Sequence, residues 1–503
     1  MFYFAIVLAF LLFAISFFDE GLFFSFLLLL LLSSATVFVI SKTSIKSKAI
    51  YTVFFIALVI HIGFVLFIYY TGFKPFGGGG DFSLYNQIAI EIAHRFSHGN
   101  FSLQGLYTEH FFPILIGMLY MVTFPSMIVG QFFTVWLAAV SILLVYLVVL
   151  EIGGTKKIAF LTGFIVTFYP SYLYFGSVLL KDTLIIPLVL AGMLLILKML
   201  KNFSWVTFLL FFIILTGLIN LRFYIGYALM FAFIFSWPLA SLFGIKKRMV
   251  YWLLVIFFLG FSSQVLGDGY YGFNNFKKFL NPKQITYFRE VVYANPPSTL
   301  TVPTTVSIVK PSIPQPSVPL PSAPTPKPSV PLPPIPPPES NNGNGSTFTL
   351  ETGFGGGITT FLKNYSQSFM YSLLGPFPWQ FRNQRQVVGL AETIPWYMLI
   401  LISIYGSVRF IRRKGMPTFL TWHKFTFPVL IFSVLALGAL SLFINNYGII
   451  ARIRIPMFIC FICVMCMSFN DGDIEKLHEK ISHYWRRGIY RLSFFTSAFK
   501  TGK

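Results

Sequence analysis

FFPILIGMLYMVTF, residues 111–124, decides how the rest of the chain is threaded. It is apolar but only about a dozen residues long, with Pro113 near its start and Pro125 just past its end. A helix rising about 1.5 Å per residue needs about 20 apolar residues to cross roughly 30 Å of hydrocarbon. At this length the segment reads as an interfacial or re-entrant helix. Counting it as a span would reverse every later loop; leaving it out gives a consistent alternation.

That alternation is set by charge. The chain has 503 residues, is 56% hydrophobic and 11% charged, and has a mean hydropathy of +0.75, which no soluble domain needs. We expect an all-α polytopic membrane protein of about 12 transmembrane helices. They lie near 1–18, 21–40, 50–70, 126–150, 157–175, 182–200, 204–221, 223–243, 249–266, 395–411, 424–444 and 452–469. The short loops carry Lys42, Lys46 and Lys48; Lys156 and Lys157; Lys198 and Lys201; Lys246, Lys247 and Arg248; and Arg409, Arg412, Arg413 and Lys414. If all are cytoplasmic, both termini lie inside. The net charge of +21 is dispersed among these loops and the tail, so it points to anionic lipid headgroups rather than nucleic acid. The expected location is the plasma (inner) membrane, with a site on its external face. Cys460, Cys463 and Cys466 share one hydrophobic run, which argues against disulfides and reads as packing rather than a metal motif.

The domain reading follows. Residues 1–49 form an N-terminal transmembrane hairpin, and 50–266 a transmembrane module with an external amphipathic loop at 71–125. Residues 267–394 form a second external loop, 395–469 the C-terminal spans and 470–503 a basic cytoplasmic tail. Inside the second loop, 295–346 is Pro-rich, with near-repeats such as KPSIPQPSVPLP and KPSVPLPPIPPP. Such a composition cannot bury a core and reads as an extended or disordered linker, a spacer or a tether.

With this threading one face collects Asp81, Glu91, His94, Arg95, His98, Glu109 and His110 from the first loop. Lys181 and Asp182 join at the start of the sixth span, Arg222 between the seventh and eighth, and Arg452 and Arg454 at the last. Ionisable groups at a bilayer boundary are costly unless paired or hydrated. Asp81 follows four glycines, where backbone and substrate can approach closely, and also suits the N-cap of a helix at 82–96. GGGGD is no phosphate-binding P-loop, since it lacks the Gly-Lys-Ser/Thr end and a preceding strand. Asp182 suits an N-cap or catalysis; Arg222 suits phosphate binding or snorkelling. Arg452 and Arg454 suit interfacial anchors or phosphate ligands. Glu109 and His110, with His94 or His98, could hold a divalent metal, though their spacing is not diagnostic. His61, alone in the third span, reads as a packing histidine.

The Gly-Asp loop followed by Tyr85 and an amphipathic helix, the half-helix FFPILIGMLYMVTFPS, the basic turn YLVVLEIGGTKK and the Pro-joined pair FYPSYLYFGSVLLKD resemble a known pattern. It is that of the membrane-embedded C-type glycosyltransferases, such as the protein O-mannosyltransferases and lipid A aminoarabinose transferases. The resemblance covers about 50–245, and more weakly 446–456. It implies a polyprenyl-phosphate-sugar donor, a glycan, lipid or protein acceptor, and Asp81 as general base. The family often has an acidic pair where this chain has Asp81-Phe82, and an acid after a small residue where it has Lys181-Asp182.

Lipid-phosphosugar transfer requires fixed cations for the leaving phosphate and a base for the acceptor hydroxyl. The expected roles are therefore Asp81 and Asp182 in catalysis and Lys181, Arg222, Arg452 and Arg454 on the donor phosphate. Tyr85, Glu109 and His110 are expected on substrate. The rival reading is an O-antigen-type polysaccharide polymerase or ligase using a polyprenyl-pyrophosphate-linked glycan, which should tolerate loss of Asp81. A transporter fits less well, because the charges gather at one face and no inverted repeat is evident.

Overall fold

A computed structural model describes residues 13–14, 19–43, 47–73, 80–106, 111–253, 281, 285, 287, 289, 357–377, 379, 389–444 and 446–469. Among them every regular element is a helix, and there is no strand. The Pro-rich tract 295–346, the tail 470–503, Glu109 and His110 lie outside the described residues, as does most of the expected spans at 1–18 and 249–266.

Among the described residues seven helices are long and apolar enough to cross a membrane, which makes this a multi-pass, all-α membrane protein. They include α1 (Glu20–Lys42) and α2 (Lys48–Thr71). Between them and the third, α5 (Met127–Glu151), lie α3 (Gly80–Ser97) and α4 (Phe112–Val122). Then come α6 (Lys156–Thr167), α7 (Pro170–Phe175), α8 (Asp182–Lys201), α9 (Trp205–Leu221) and α10 (Phe223–Ala240). After these follow α11 (Ile358–Leu374), α12 (Leu390–Lys414), α13 (Met416–Trp422), α14 (Phe427–Phe443), α15 (Tyr447–Ile453) and α16 (Ile455–Cys466). A one-turn 3-10 segment, Lys424–Thr426, leads into α14 and completes a helix of spanning length.

Three expected spans differ from the sequence reading. Residues 157–175 are not continuous: α6 stops at Thr167, Tyr169 is extended, and Pro170 opens α7. Proline lacks the N–H that would carry the helix through and disfavours helical geometry in the residue before it. Residues 452–469 are divided at Arg454, with Pro456 opening the second piece. The helix at 205–221 has 17 residues, slightly short for a crossing. At 11 residues, α4 is far too short to cross, as the sequence suggests. It pairs with α3 through the Tyr85–Phe112 ring contact and a hydrogen bond of 2.8 Å from Tyr120 Oη to Asn86.

Helix ends sort into two layers. In one, Lys201 at the end of α8 reaches Glu151 at the end of α5 at 2.6 Å, and Leu242 N–H donates to Leu200 C=O at 3.0 Å. There too Met467 packs on Gly154, and Ser468 on Gly406. This is the layer of the basic loops. The other holds the starts of α1 and α5, where Gly21 lies against Ser126, and the start of α10, where Phe223 meets Phe443 at the end of α14. The core between them is formed by α5, α8 and α10, while α12 exposes most of its length, as a helix facing hydrocarbon does.

Candidate functional site

The site lies where four helix ends meet in the second layer. The connector before α8 (Ser177-Val178-Leu179-Leu180) is buried, as non-helical backbone at membrane depth must be. It delivers Lys181 as the residue before the helix and Asp182 as its first residue. Arg222 is the single residue between α9 and α10, with φ −154° and ψ 95°. The two helices can fold back so tightly because position 226 is glycine; a Cβ there would stand 2.4 Å from Ile219 Cγ1. Arg452 comes from the last turn of α15, and Asp81 from the first turn of α3.

These side chains form a row. Arg222 places Nε and Nη2 each 3.1 Å from Asp182 Oδ1 and donates from Nη1 to Tyr224 Oη at 3.3 Å. Arg452 Nε stands 2.8 Å from Asp182 Oδ2, and its Nη1 donates to Asp81 Oδ2 at 2.6 Å. Asp182 and Arg222 are buried, whereas the Asp81 side chain is 54% exposed. Hence the row runs from the protein interior to an open end at Asp81. Lys181, also buried, stands within electrostatic reach of Arg222, Asp182, Arg452 and Asp81, yet makes no hydrogen bond or ion pair among the described residues. Burial, and then the Arg222 guanidinium, bring its ammonium down to about 7, against the pull of Asp182. Tyr85, one turn on from Asp81, is buried beside the row. Burial first, then Asp81 and Asp182, raise its phenol, so it stays a neutral donor.

Three cations thus face two carboxylates in a half-enclosed setting. An isolated ion is expensive to bury; here each carboxylate is paired, and Asp182 touches two guanidinium groups. The surplus positive charge and the unclaimed Lys181 suit an anionic guest, while the exposed carboxylate at the rim can accept a proton.

No family model, no curated protein and no solved structure matches this chain. The geometry alone carries the assignment of the site.

Of the expected residues, Asp81, Tyr85, Lys181, Asp182, Arg222 and Arg452 are brought together. Arg454 is not. Two residues beyond Arg452, it turns into a separate buried network, donating to Glu392 Oε1 at 2.6 Å and to the carbonyls of Ser372 and Gly375 at 3.0 and 2.8 Å. Its guanidinium also lies 4.5 Å from the Phe458 ring centroid. Tyr169 and Ser171, flanking Pro170, donate to the same Glu392 carboxylate. This network fixes the break between α15 and α16, and with it the position of Arg452. Glu392 was missed by sequence reasoning, although a lone acid in the apolar run GLAETIPWYMLI was a signal.

Nor is Asp81 the residue before its helix; it stands inside the first turn, its carboxylate turned to Arg452. The rings of His94 and His98 lie 4.5 Å apart, tilted to one another, at the exposed end of α3. Among the described residues no group of three His, Cys, Asp or Glu side chains could hold a metal, and Glu109 and His110 lie outside that set. His61 is fully buried, its Nδ1 3.0 Å from Ser177 Oγ and its ring edge-on to Tyr172. The three cysteines are free and buried.

Proposed function

We propose that the protein is a glycosyltransferase that moves a sugar from a polyprenyl-phosphate donor to an acceptor hydroxyl or amine at the external face of the membrane. The observation that carries this reading is the Asp81–Arg452–Asp182–Arg222 row with Lys181 beside it, assembled from four segments at one end of the helix bundle. In the reaction the acceptor oxygen attacks the anomeric carbon as the bond from that carbon to the phosphate oxygen breaks. The bonding pair leaves with the phosphate, and the acceptor proton passes to Asp81. Lys181, Arg452 and Arg222 offset the charge that develops on the leaving phosphate, a role suited to fixed cations at a water-poor boundary. Tyr85, held neutral, donates to a substrate oxygen. Asp182 keeps the two guanidinium groups apart and oriented.

A pH experiment tests the phosphate role of Lys181. A phosphodiester-linked sugar lipid has no titration of its own near neutrality, so any pH dependence of its binding belongs to the protein. Protonated Lys181 attracts it, so affinity is highest below about 7 and weakens as pH rises through that value, by at most about tenfold per unit. Lys181→Arg, charged throughout, should flatten the profile. An unaltered profile in this variant, measured by equilibrium binding in nanodiscs, removes Lys181 from the phosphate site. In the unliganded protein the sign is opposite. Because folding lowers the Lys181 pKa from 10.5, the unfavourable contribution is fully present below about 7 and is relieved as pH climbs towards 10.5.

Sidedness has its own test. Reporter fusions after Gly99, beyond α3, and Gly154, in the basic-loop layer, should report opposite compartments. The same compartment for both would make α4 a span and defeat the threading.

A further inference from the structure

The buried Glu392 carboxylate stands in the first turn of α12 and collects donors from two distant parts of the chain. Arg454 donates from the break between α15 and α16, and Tyr169 and Ser171 donate from either side of Pro170. The start of α12 is itself pinned to the end of α11: Trp396 Nε1 donates to Leu373 C=O at 3.0 Å, and Tyr397 Oη to Leu374 C=O at 2.6 Å. Arg454 reaches that same end through the Ser372 and Gly375 carbonyls. A buried carboxylate holding a guanidinium and two hydroxyls is a stiff joint, because each lost contact leaves a polar group unsatisfied away from water.

Both arms that leave this joint lead to the acid–arginine row. From Arg454 the chain runs back two residues to Arg452. From Ser171 it runs through α7, which packs against α12 and α15, and along the buried connector to Lys181 and Asp182. Turn hydrogen bonds stiffen this path: Gly176 N–H to Tyr172 C=O at 2.8 Å, Ser177 N–H to Tyr174 C=O at 3.0 Å and Leu180 N–H to Val178 C=O at 2.9 Å. Arg452 Nε, 2.8 Å from Asp182 Oδ2, closes the ring. Glu392 and Arg454 cancel as charges, so the joint sets the geometry of the row and not its field.

We infer that Glu392 is a positioning residue, holding Arg452 in register with Lys181 and Asp182 through Arg454 on one arm and Ser171 on the other. Its consequence for transfer rests on the reading of the row as the donor-phosphate site.

Glu392→Gln alone leaves Arg454 buried without its counter-charge and can fail to fold. Tyr169→Phe with Ser171→Ala is the gentler test, since it frees one arm and keeps the Glu392–Arg454 pair. Hydrogen exchange is measured on the full-length protein in detergent. In this variant amides of residues 177–184 and of α15 should both exchange about tenfold faster or more, with those of α5 unchanged. Tyr397→Phe, which loosens α12 from α11 without touching the joint, should alter neither. Faster exchange confined to α7, a uniform rise across the bundle, or the same pattern in Tyr397→Phe overturns the inference. Transfer is read separately in proteoliposomes, where kcat/KM of the double variant should fall by up to about 10²-fold. A wild type without transfer activity removes the glycosyltransferase reading, whereas the exchange pattern decides the role of Glu392 with no substrate present.

Discussion

If the protein is the glycosyltransferase proposed above, Asp81→Asn should lower the rate of sugar transfer by about 10²–10⁴-fold, the usual worth of a general base, while the protein still inserts and unfolds as the wild type does. The two halves of this result are separable because of where Asp81 stands. Its side chain is 54% exposed, and its contact with Arg452 at 2.6 Å lies at the open end of the row. An ion pair so hydrated contributes about 0–1 kcal/mol, and Arg452 keeps its second carboxylate, Asp182. Loss of activity with the thermal midpoint unchanged would therefore mark a chemical role. Transfer assayed in proteoliposomes with a polyprenyl-phosphate sugar is the measurement. Full activity would remove the base; if Arg452→Gln were inactive at the same time, the pyrophosphate-linked polymerase or ligase reading would take its place.

Asp182→Asn behaves in the opposite way. Its carboxylate is buried and faces both Arg222 and Arg452, with Lys181 adjacent. Neutralising it leaves like charges crowded at the start of α8, and the expected loss of stability is about 3–5 kcal/mol. The matched change Asp182→Leu with Arg222→Met removes charge from both sides and should recover much of that loss, because an apolar pair of similar volume escapes the desolvation penalty. Transfer activity should not recover with it, since the phosphate would lose a ligand. Stability is read from detergent-solubilised unfolding and activity from the proteoliposome assay. A single variant as stable as the wild type would show the buried row to be loosely coupled to folding.

How much of this was legible beforehand varies by residue. Arg222 sits between two apolar runs, and the break there is where the structure turns back. The shortness of 111–124 excluded a crossing, because length is a property of the sequence itself. The interruptions at Tyr169 and Arg454 were less visible, even with Pro170 and Pro456 as signals, since hydropathy averages across a break without registering it.

The sequence by itself determined that the chain is a bundle of apolar helices, which of its loops are basic, and that ionisable residues cluster at helix ends. Those follow from composition and length, quantities that add along the chain. Only the tertiary structure decided that Arg452 meets Asp81 and Asp182 while Arg454, two residues on, meets Glu392. Which way a guanidinium turns depends on the register of helices hundreds of residues apart, and no local pattern encodes that distance.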